Sequence, residues 1–281
     1  MSFPQTRLTL IQRLATDGTE ADWHLFVKDY WGSIVRFSLR WGASSLEDAE
    51  DVASETFEAL WEDQLLVRWV SRRRAKLRTL LCSVVRNILA NRHRIRKGRK
   101  RLLPDLKEQL NRLVGQKRGE IDAFYAAWVD DLVQRSVESL AREYYRERKG
   151  DYVRVLYSRL CERLTVAQVA HALEIKPSAV VNYSRHVRQR LSKKLEGLVR
   201  EHVERYCLPD EVEAEFCVEW QRIGLHLAEC GGLETAVRRA YDLLDPVRVP
   251  RVRDNRLTQT MARLTSVIRT SSDATSSNET R

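Results

Sequence analysis

Glycine and proline are scarce in this sequence, with 11 and 6 residues among 281. Both residues interrupt helices, so their scarcity, together with many Leu, Arg, Glu and Ala residues, favours an all-α protein. No apolar run approaches the roughly 18 residues that a membrane-spanning helix needs. No basic segment followed by an apolar run marks a signal peptide. We therefore expect a cytoplasmic protein without a membrane partner.

Disulfide and zinc patterns are also weak. The five cysteines are widely spaced and include no Cys-x-x-Cys pair, which favours reduced thiols. Cys217, His226 and Cys230 have the spacing with which some zinc motifs begin. A structural zinc site requires four ligands, and the sequence offers no evident fourth ligand. We therefore interpret them as core thiols beside a hydrogen-bonded histidine and expect no metal.

Enzyme motifs are missing as well. The sequence has no Gly-rich phosphate loop, no His-Glu-x-x-His and no Gly-x-Ser-x-Gly, and its six histidines are scattered. A nuclease would need clustered carboxylates beside a basic surface to hold its metal ions. The acids of residues 46–63 are the only candidates, and they follow regular amphipathic helix spacing. We expect no catalytic residues, no cofactor and no enzymatic activity.

Charge is abundant and unevenly distributed. The net charge is +10 and the pI is near 9.5, which indicates a polyanionic partner. Residues 46–63 hold eight acids and no Lys or Arg, whereas residues 64–104 hold fourteen Lys or Arg and no acid. The basic block repels itself, and a bound polyanion would relieve that repulsion.

Helical periodicity organises the first part of the chain. Apolar residues recur every three or four positions between residues 23 and 41, which predicts a helix, and Gly42 ends it. Ser45 is placed to cap a second helix, with Asp48 three residues later as a capping-box variant. A third helix is predicted over residues 76–97. Residues 64–75 break the period, and we expect an irregular segment there.

The second part has the spacing of a helix-turn-helix at residues 165–190, after helices predicted near residues 121–140 and 152–160. Ala170 is small where two helices would cross, and Pro177 suits the first turn of the second helix. Glu174 takes the turn position where glycine is usual, at a cost of roughly 1 kcal/mol in a left-handed backbone. An ordinary helical hairpin is the alternative.

Side chains of the second helix of this motif are candidates for DNA contacts. Ser178, Asn182 and Arg185 lie on its exposed side near its N-terminal half, where recognition helices meet major-groove base edges. Arg188 and Lys193 lie further along and are predicted to contact phosphates.

The C-terminal part reverses the charge. Residues 207–245 contain nine acids and three arginines, and Gly231-Gly232 separates two predicted helical pieces. An acidic segment beside a basic domain could mask it, or could simply pack on it as a helical cap. Both interpretations stay open. The Ser/Thr/Asn-rich tail is predicted to be disordered.

Residues 26–62 and 75–101 resemble region two of sigma factors of the sigma-seventy superfamily. The resemblance is carried by Asp48-Ala49-Glu50-Asp51, by Phe57 and by the run from Lys76 to Asn87. The helix-turn-helix then stands where extracytoplasmic-function members have region four, so the resemblance covers roughly residues 23–203. Two positions depart from the family, which often has Trp at Leu80 and Gln at Ser54. Trp69 either supplies the missing aromatic surface or anchors its segment in the core.

The resemblance implies two functional surfaces in the first domain. In such proteins the acidic helix docks on a coiled coil of the polymerase's largest subunit, and the following loop and helix open the promoter. The docking face would comprise Asp48, Asp51, Glu55 and Glu58. The cationic, strand-binding surface would comprise Arg72, Arg73, Arg74, Lys76, Arg78, Asn87, Arg92 and Arg94.

We therefore predict an all-α sigma factor with two helical domains: region two at residues 1–98, a linker at 99–122 and the helix-turn-helix domain at 123–205. An acidic helical extension at 206–250 and a disordered tail at 251–281 follow. The expected partners are core RNA polymerase and promoter DNA, and an anti-sigma or other regulatory protein is a further candidate. A stand-alone helix-turn-helix regulator is the alternative, although it leaves the acidic helix beside the basic block unexplained.

Overall fold

A computed structural model describes residues 9–16, 18–72, 76–96, 118–160 and 162–242. These residues form helices and connecting turns without any strand, which confirms the all-α prediction. Within the same ranges, no helix is long and apolar enough to cross a membrane. The described helices are α1 Leu10–Thr16, α2 Glu20–Trp41, α3 Leu46–Glu62, α4 Leu65–Arg72, α5 Leu77–Arg96, α6 Arg118–Arg146, α7 Gly150–Leu160, α8 Val166–Ala172, α9 Pro177–Tyr206, α10 Val212–Glu229 and α11 Gly232–Asp242.

The helices belong to two compact units, and the division falls inside α6 between Trp128 and Val129. The predicted linker at 99–122 lies mostly outside the described residues, and α6 begins within its last part at Arg118. The predicted disordered tail lies outside the described residues altogether. The domain limits drawn from the sequence stay predictions.

The core of the first unit is aromatic and is centred on α2 and α3. Phe26 of α2 meets Phe57 of α3 edge to face, with ring centroids 5.6 Å apart, and both rings are fully buried. Trp31 stacks on the other side of Phe57. The predicted boundary between these helices is confirmed, because Gly42 ends α2 with a φ of 130° and the Ser45 hydroxyl accepts a hydrogen bond from the Asp48 N–H.

Three details of the first unit differ from the sequence prediction. Residues 65–72 form the helix α4 rather than an irregular segment, and its Leu65 and Leu66 are buried. The short helix α1 was not predicted, although Leu10, Ile11 and Leu14 are buried. Ile95 is the third: the helical period of residues 76–97 predicts that it lies on the apolar stripe of the third helix, but it is 63% exposed near the end of α5.

The second unit contains the predicted helix-turn-helix as α8 and α9. Val169 and Ala170 of α8 pack with Val180 of α9 and Val155 of α7 in one buried cluster. The Thr165 hydroxyl and the Gln168 side chain form a reciprocal capping box at the start of α8. Both helices of the motif begin at local sequence signals, since Pro177 stands in the first turn of α9.

The C-terminal extension forms α10 and α11 as predicted. Gly231 and Gly232 join them with φ angles of 85° and 89°, a backbone that favours glycine. Phe216 and Ile223 of α10 are buried, and α10 packs along α9. The extension is therefore an integral part of the second unit.

Candidate nucleic-acid interface

The turn between α8 and α9 has the geometry that the sequence predicted. Glu174 has a φ of 54°, which places its backbone in the left-handed region. The Leu173 N–H donates to the Val169 carbonyl and the Ile175 N–H donates to the Ala170 carbonyl, each at 3.0 Å. A left-handed residue other than glycine costs roughly 1 kcal/mol. The packing of α8 against α9 overcomes this cost.

The predicted base-reading residues share one exposed face of α9. Ser178, Asn182 and Arg185 are all exposed, and at 100° per residue they lie within about 60° of one another around the helix. Arg188 and Lys193 are also exposed, but on opposite flanks of this face. The structure thus brings together the five predicted DNA contacts of the motif on one side of one helix.

Other cations of α9 are paired within the second unit. Arg190 and Lys194 both pair with Glu143 of α6, the lysine at 2.7 Å. Arg188 pairs with Glu234 of α11. Among the described residues, no ion pair joins Lys193 or Arg185 to an acid. Of the five predicted DNA contacts, Arg185 and Lys193 are therefore the two cations that present their charge to solvent.

The extension is held against the second unit by two arginines of α11. The Arg239 guanidinium donates to both carboxylate oxygens of Asp130, with a shortest distance of 2.7 Å, and Asp130 is fully buried. Burial opposes the charge of Arg239, but the hydrogen bonds and negative charge of Asp130 and Cys230 together outweigh it, so the pKa of Arg239 lies above its usual value. Arg238 donates to the Leu160 carbonyl at 3.0 Å. The sequence analysis missed these contacts, although adjacent Asp130 and Asp131 within an apolar stripe were a signal of a buried ion pair.

The predicted polymerase-docking acids lie on α3 in the first unit. Asp51 and Glu55 are exposed and Glu58 is half-buried, so these three form an outward acidic row. Asp48 is different, because its side chain is only 11% exposed and accepts a 2.7 Å hydrogen bond from the Ser44 N–H.

One predicted DNA-binding residue, Arg92 of α5, contacts this acidic row. Its guanidinium lies 2.6 Å from Asp48 and 2.6 Å from Glu55. Burial disfavours the charged form, but the hydrogen bonds to Glu55 and Asp48 prevail and raise the pKa of Arg92. The structure therefore joins residues that the sequence analysis assigned to two different partners.

The other predicted strand-opening residues are described only in part. Arg73 and Arg74 lie outside the described residues, as does the side chain of Arg72 at the end of α4. Arg78 lies over aromatic rings, 4.4 Å from the Trp128 ring centroid and 5.1 Å from that of Tyr125. The remaining members differ in exposure: Lys76 is exposed, and Asn87 and Arg94 are half-buried.

Two positions where the sequence departs from the sigma pattern occupy the interior of the first unit. Leu80 is fully buried and Ser54 is 9% exposed. Trp69 is half-buried on α4, and its indole nitrogen is removed from solvent. This placement favours the interpretation of Trp69 as a core anchor over that of a stacking surface for a base.

The candidate zinc residues are only partly gathered. The Cys230 sulfur lies 3.7 Å from Nε2 of His226, whereas Cys217 is exposed. Within the described ranges, no three His, Cys, Asp or Glu residues are arranged to hold a metal. Cys82 is buried in the first unit, and burial raises its thiol pKa to about 12.

No protein-family model matches this sequence, and comparisons with curated proteins and with solved structures found no similar chain.

Proposed function

We propose that this protein is a sigma factor that binds core RNA polymerase, recognises promoter DNA and starts transcription. The observation that carries the proposal is the helix-turn-helix with Ser178, Asn182 and Arg185 exposed on one face of α9. Hydroxyl, amide and guanidinium groups are the donors and acceptors that read base edges in the major groove. An ordinary helical hairpin does not need this exposed row.

Phosphate binding would come from the flanks of that face. Lys193 presents its charge to solvent on one flank, whereas Arg188 pairs with Glu234 on the other. Arg188 and Glu234 side chains are 60% and 48% exposed, and exposed pairs of this kind contribute about 1 kcal/mol or less. A phosphate can therefore replace Glu234 at small cost.

The acidic row of α3 supports a polymerase partner. Asp51, Glu55 and Glu58 present carboxylates along a single helix whose opposite side packs in the core. Such a row is suited to a basic protein surface, and electrostatic complementarity accelerates and orients this kind of docking. A DNA-binding protein that acts alone needs no such docking surface.

A stand-alone helix-turn-helix regulator remains the second candidate, and Arg92 is the observation that favours it. This arginine already neutralises Glu55 of the acidic row, together with the neighbouring Asp48. On this alternative the row is a structural ion-pair network, and only α8 and α9 meet a partner.

Size-exclusion chromatography of the chain with bacterial core RNA polymerase separates the two candidates. The wild-type chain is expected to co-elute with the core enzyme, and Asp51→Lys is expected to abolish co-elution because it reverses the charge within the acidic row. Asp210→Lys makes the same change at an exposed site in the second unit and is the matched control. Co-elution of Asp51→Lys equal to that of the control would contradict polymerase docking through α3.

A further inference from the structure

A cleft of about 290 Å³ lies in the second unit between the recognition helix α9, the helix α7 and the extension helix α11. Its floor is apolar, because Leu160, Leu191 and Val237 are 8%, 2% and 1% exposed. Val181 of α9 stands at its mouth and is 45% exposed. An apolar concavity with a few polar groups is the usual form of a small-molecule site, and this one is near the lower end of the usual size range.

The rim of the cleft carries excess positive charge. Three arginines line it, Arg159, Arg185 and Arg188, against one acid, Glu234. Glu234 accepts from Arg188, and Arg159 donates to the Leu164 carbonyl. Arg185 is exposed, and no ion pair joins it to another described residue. The guanidinium of Arg185 is thus the group at this rim that is placed to take a carboxylate from solution.

We propose that this cleft binds a small organic anion, a monocarboxylate with an apolar chain or ring. The carboxylate would lie on Arg185, where a guanidinium can donate two parallel hydrogen bonds. The apolar body would cover Leu191 and Val237 on the floor. At the roughly 30 Å³ that one water molecule occupies in the liquid, the volume corresponds to about ten non-hydrogen atoms, so a chain of about ten carbons is the right size.

Because the cleft adjoins the recognition helix, a bound ligand would affect DNA binding, an inference that rests on the function proposed above. Arg185 lies both at the rim of the cleft and in the row predicted to read bases. An Arg185 side chain that donates to a carboxylate in the cleft no longer offers the same hydrogen-bond donors to a base edge. The bound anion would therefore compete with DNA at the recognition helix and lower its occupancy of promoters.

Isothermal titration calorimetry of the full chain with decanoate tests the site without DNA. We expect binding to a single site. Butyrate has the same head with a much shorter chain, and decyltrimethylammonium has a chain of the same length with a cationic head, so both should bind at least about tenfold more weakly. No decanoate binding, or equal binding of decyltrimethylammonium, would overturn the proposal.

Two pairs of variants locate the site. Arg185→Gln removes the head contact and Val181→Trp fills the mouth, and each should weaken decanoate binding at least about tenfold. Their matched controls are Arg154→Gln, an exposed arginine of α7, and Val218→Trp, an exposed valine of α10. All four positions are solvent-exposed or at the cleft mouth, and circular dichroism checks that each variant is folded. Equal affinity in a site variant and its control would show that decanoate binds elsewhere and would reject the cleft.

A competition experiment separates failure of this site from failure of the proposed function. Fluorescence anisotropy with a labelled DNA duplex should show that decanoate releases DNA from wild type. Decanoate binding in the calorimeter without any DNA binding would keep the ligand site and reject the proposed function. DNA binding that saturating decanoate leaves unchanged would overturn the competition, whereas DNA binding by a chain that takes up no decanoate would reject the site alone.

Discussion

Replacement of Arg239 by alanine is expected to destabilise the second unit strongly. Asp130 is fully buried, and Arg239 gives it a bidentate ion pair across 109 residues of sequence. Loss of one partner of a buried pair costs about 3–5 kcal/mol, and the 29% exposure of the Arg239 side chain places the cost near 3 kcal/mol. At about 4 °C per kcal/mol for a unit of this size, the melting temperature should fall by about 12 °C.

Thermal denaturation followed by circular dichroism measures this effect. Arg154→Ala breaks an exposed ion pair with Asp151 in the same unit, where the two side chains are 66% and 50% exposed, so it should cost at most about 1 kcal/mol. Adding Asp130→Asn to Arg239→Ala should restore part of the loss, because a neutral amide is less costly to bury than a carboxylate. The reasoning fails if Arg239→Ala and Arg154→Ala melt at the same temperature.

Three further predictions concern the recognition helix and one buried thiol. Arg185→Ala should weaken selection between promoter and random DNA by about 1–3 kcal/mol in gel-shift competition, and unchanged selectivity would refute base contact. Lys193→Ala should lower affinity for all DNA sequences and reduce the slope of log affinity against log salt concentration by about 1. Arg188→Ala should change that slope less, because Arg188 is already paired with Glu234. A larger change for Arg188 would show that the ion pair opens freely. Because burial raises the pKa of Cys82 to about 12, iodoacetamide should label the exposed Cys217 before Cys82. Equally fast labelling of Cys82 in the folded protein, measured by mass spectrometry, would contradict its burial.

Local signals in the sequence were sufficient to predict most of the helices. Apolar residues spaced three and four positions apart predict α2, α3 and α5, while Gly42 ends α2 and the Ser45 side chain caps the start of α3. The turn of the helix-turn-helix was predicted at Glu174, where the structure has a left-handed backbone. These features are set by residues within a few positions of one another, which is why the sequence reveals them.

Short helices were harder to predict. The helix α1 has 7 residues and α4 has 8, which is too short for a helical period to repeat convincingly. Leu65 and Leu66 of α4 are buried by tertiary packing against α1 and α3. Tertiary packing of this kind decides the structure of segments whose own periodicity is weak.

The contacts that shape the candidate site are long-range, and the sequence did not reveal them. Arg188 and Glu234 are 46 residues apart, and Arg92 and Asp48 are 44 residues apart. Charge counts predicted an acidic extension beside a basic helix, but they could not identify which acid meets which cation. The pairings follow from the packing of α11 on the second unit and of α5 on α3.

The proposed sigma function means that this chain directs core RNA polymerase to particular promoters. Core enzyme with and without the chain can transcribe a library of random genomic fragments, and sequencing the 5′ ends of the transcripts maps the start sites. We expect start sites that depend on the chain, share an upstream sequence motif and are used less with Arg185→Ala. Start sites that are identical with and without the chain, although the chain binds DNA, would contradict the claim and leave a stand-alone DNA-binding protein.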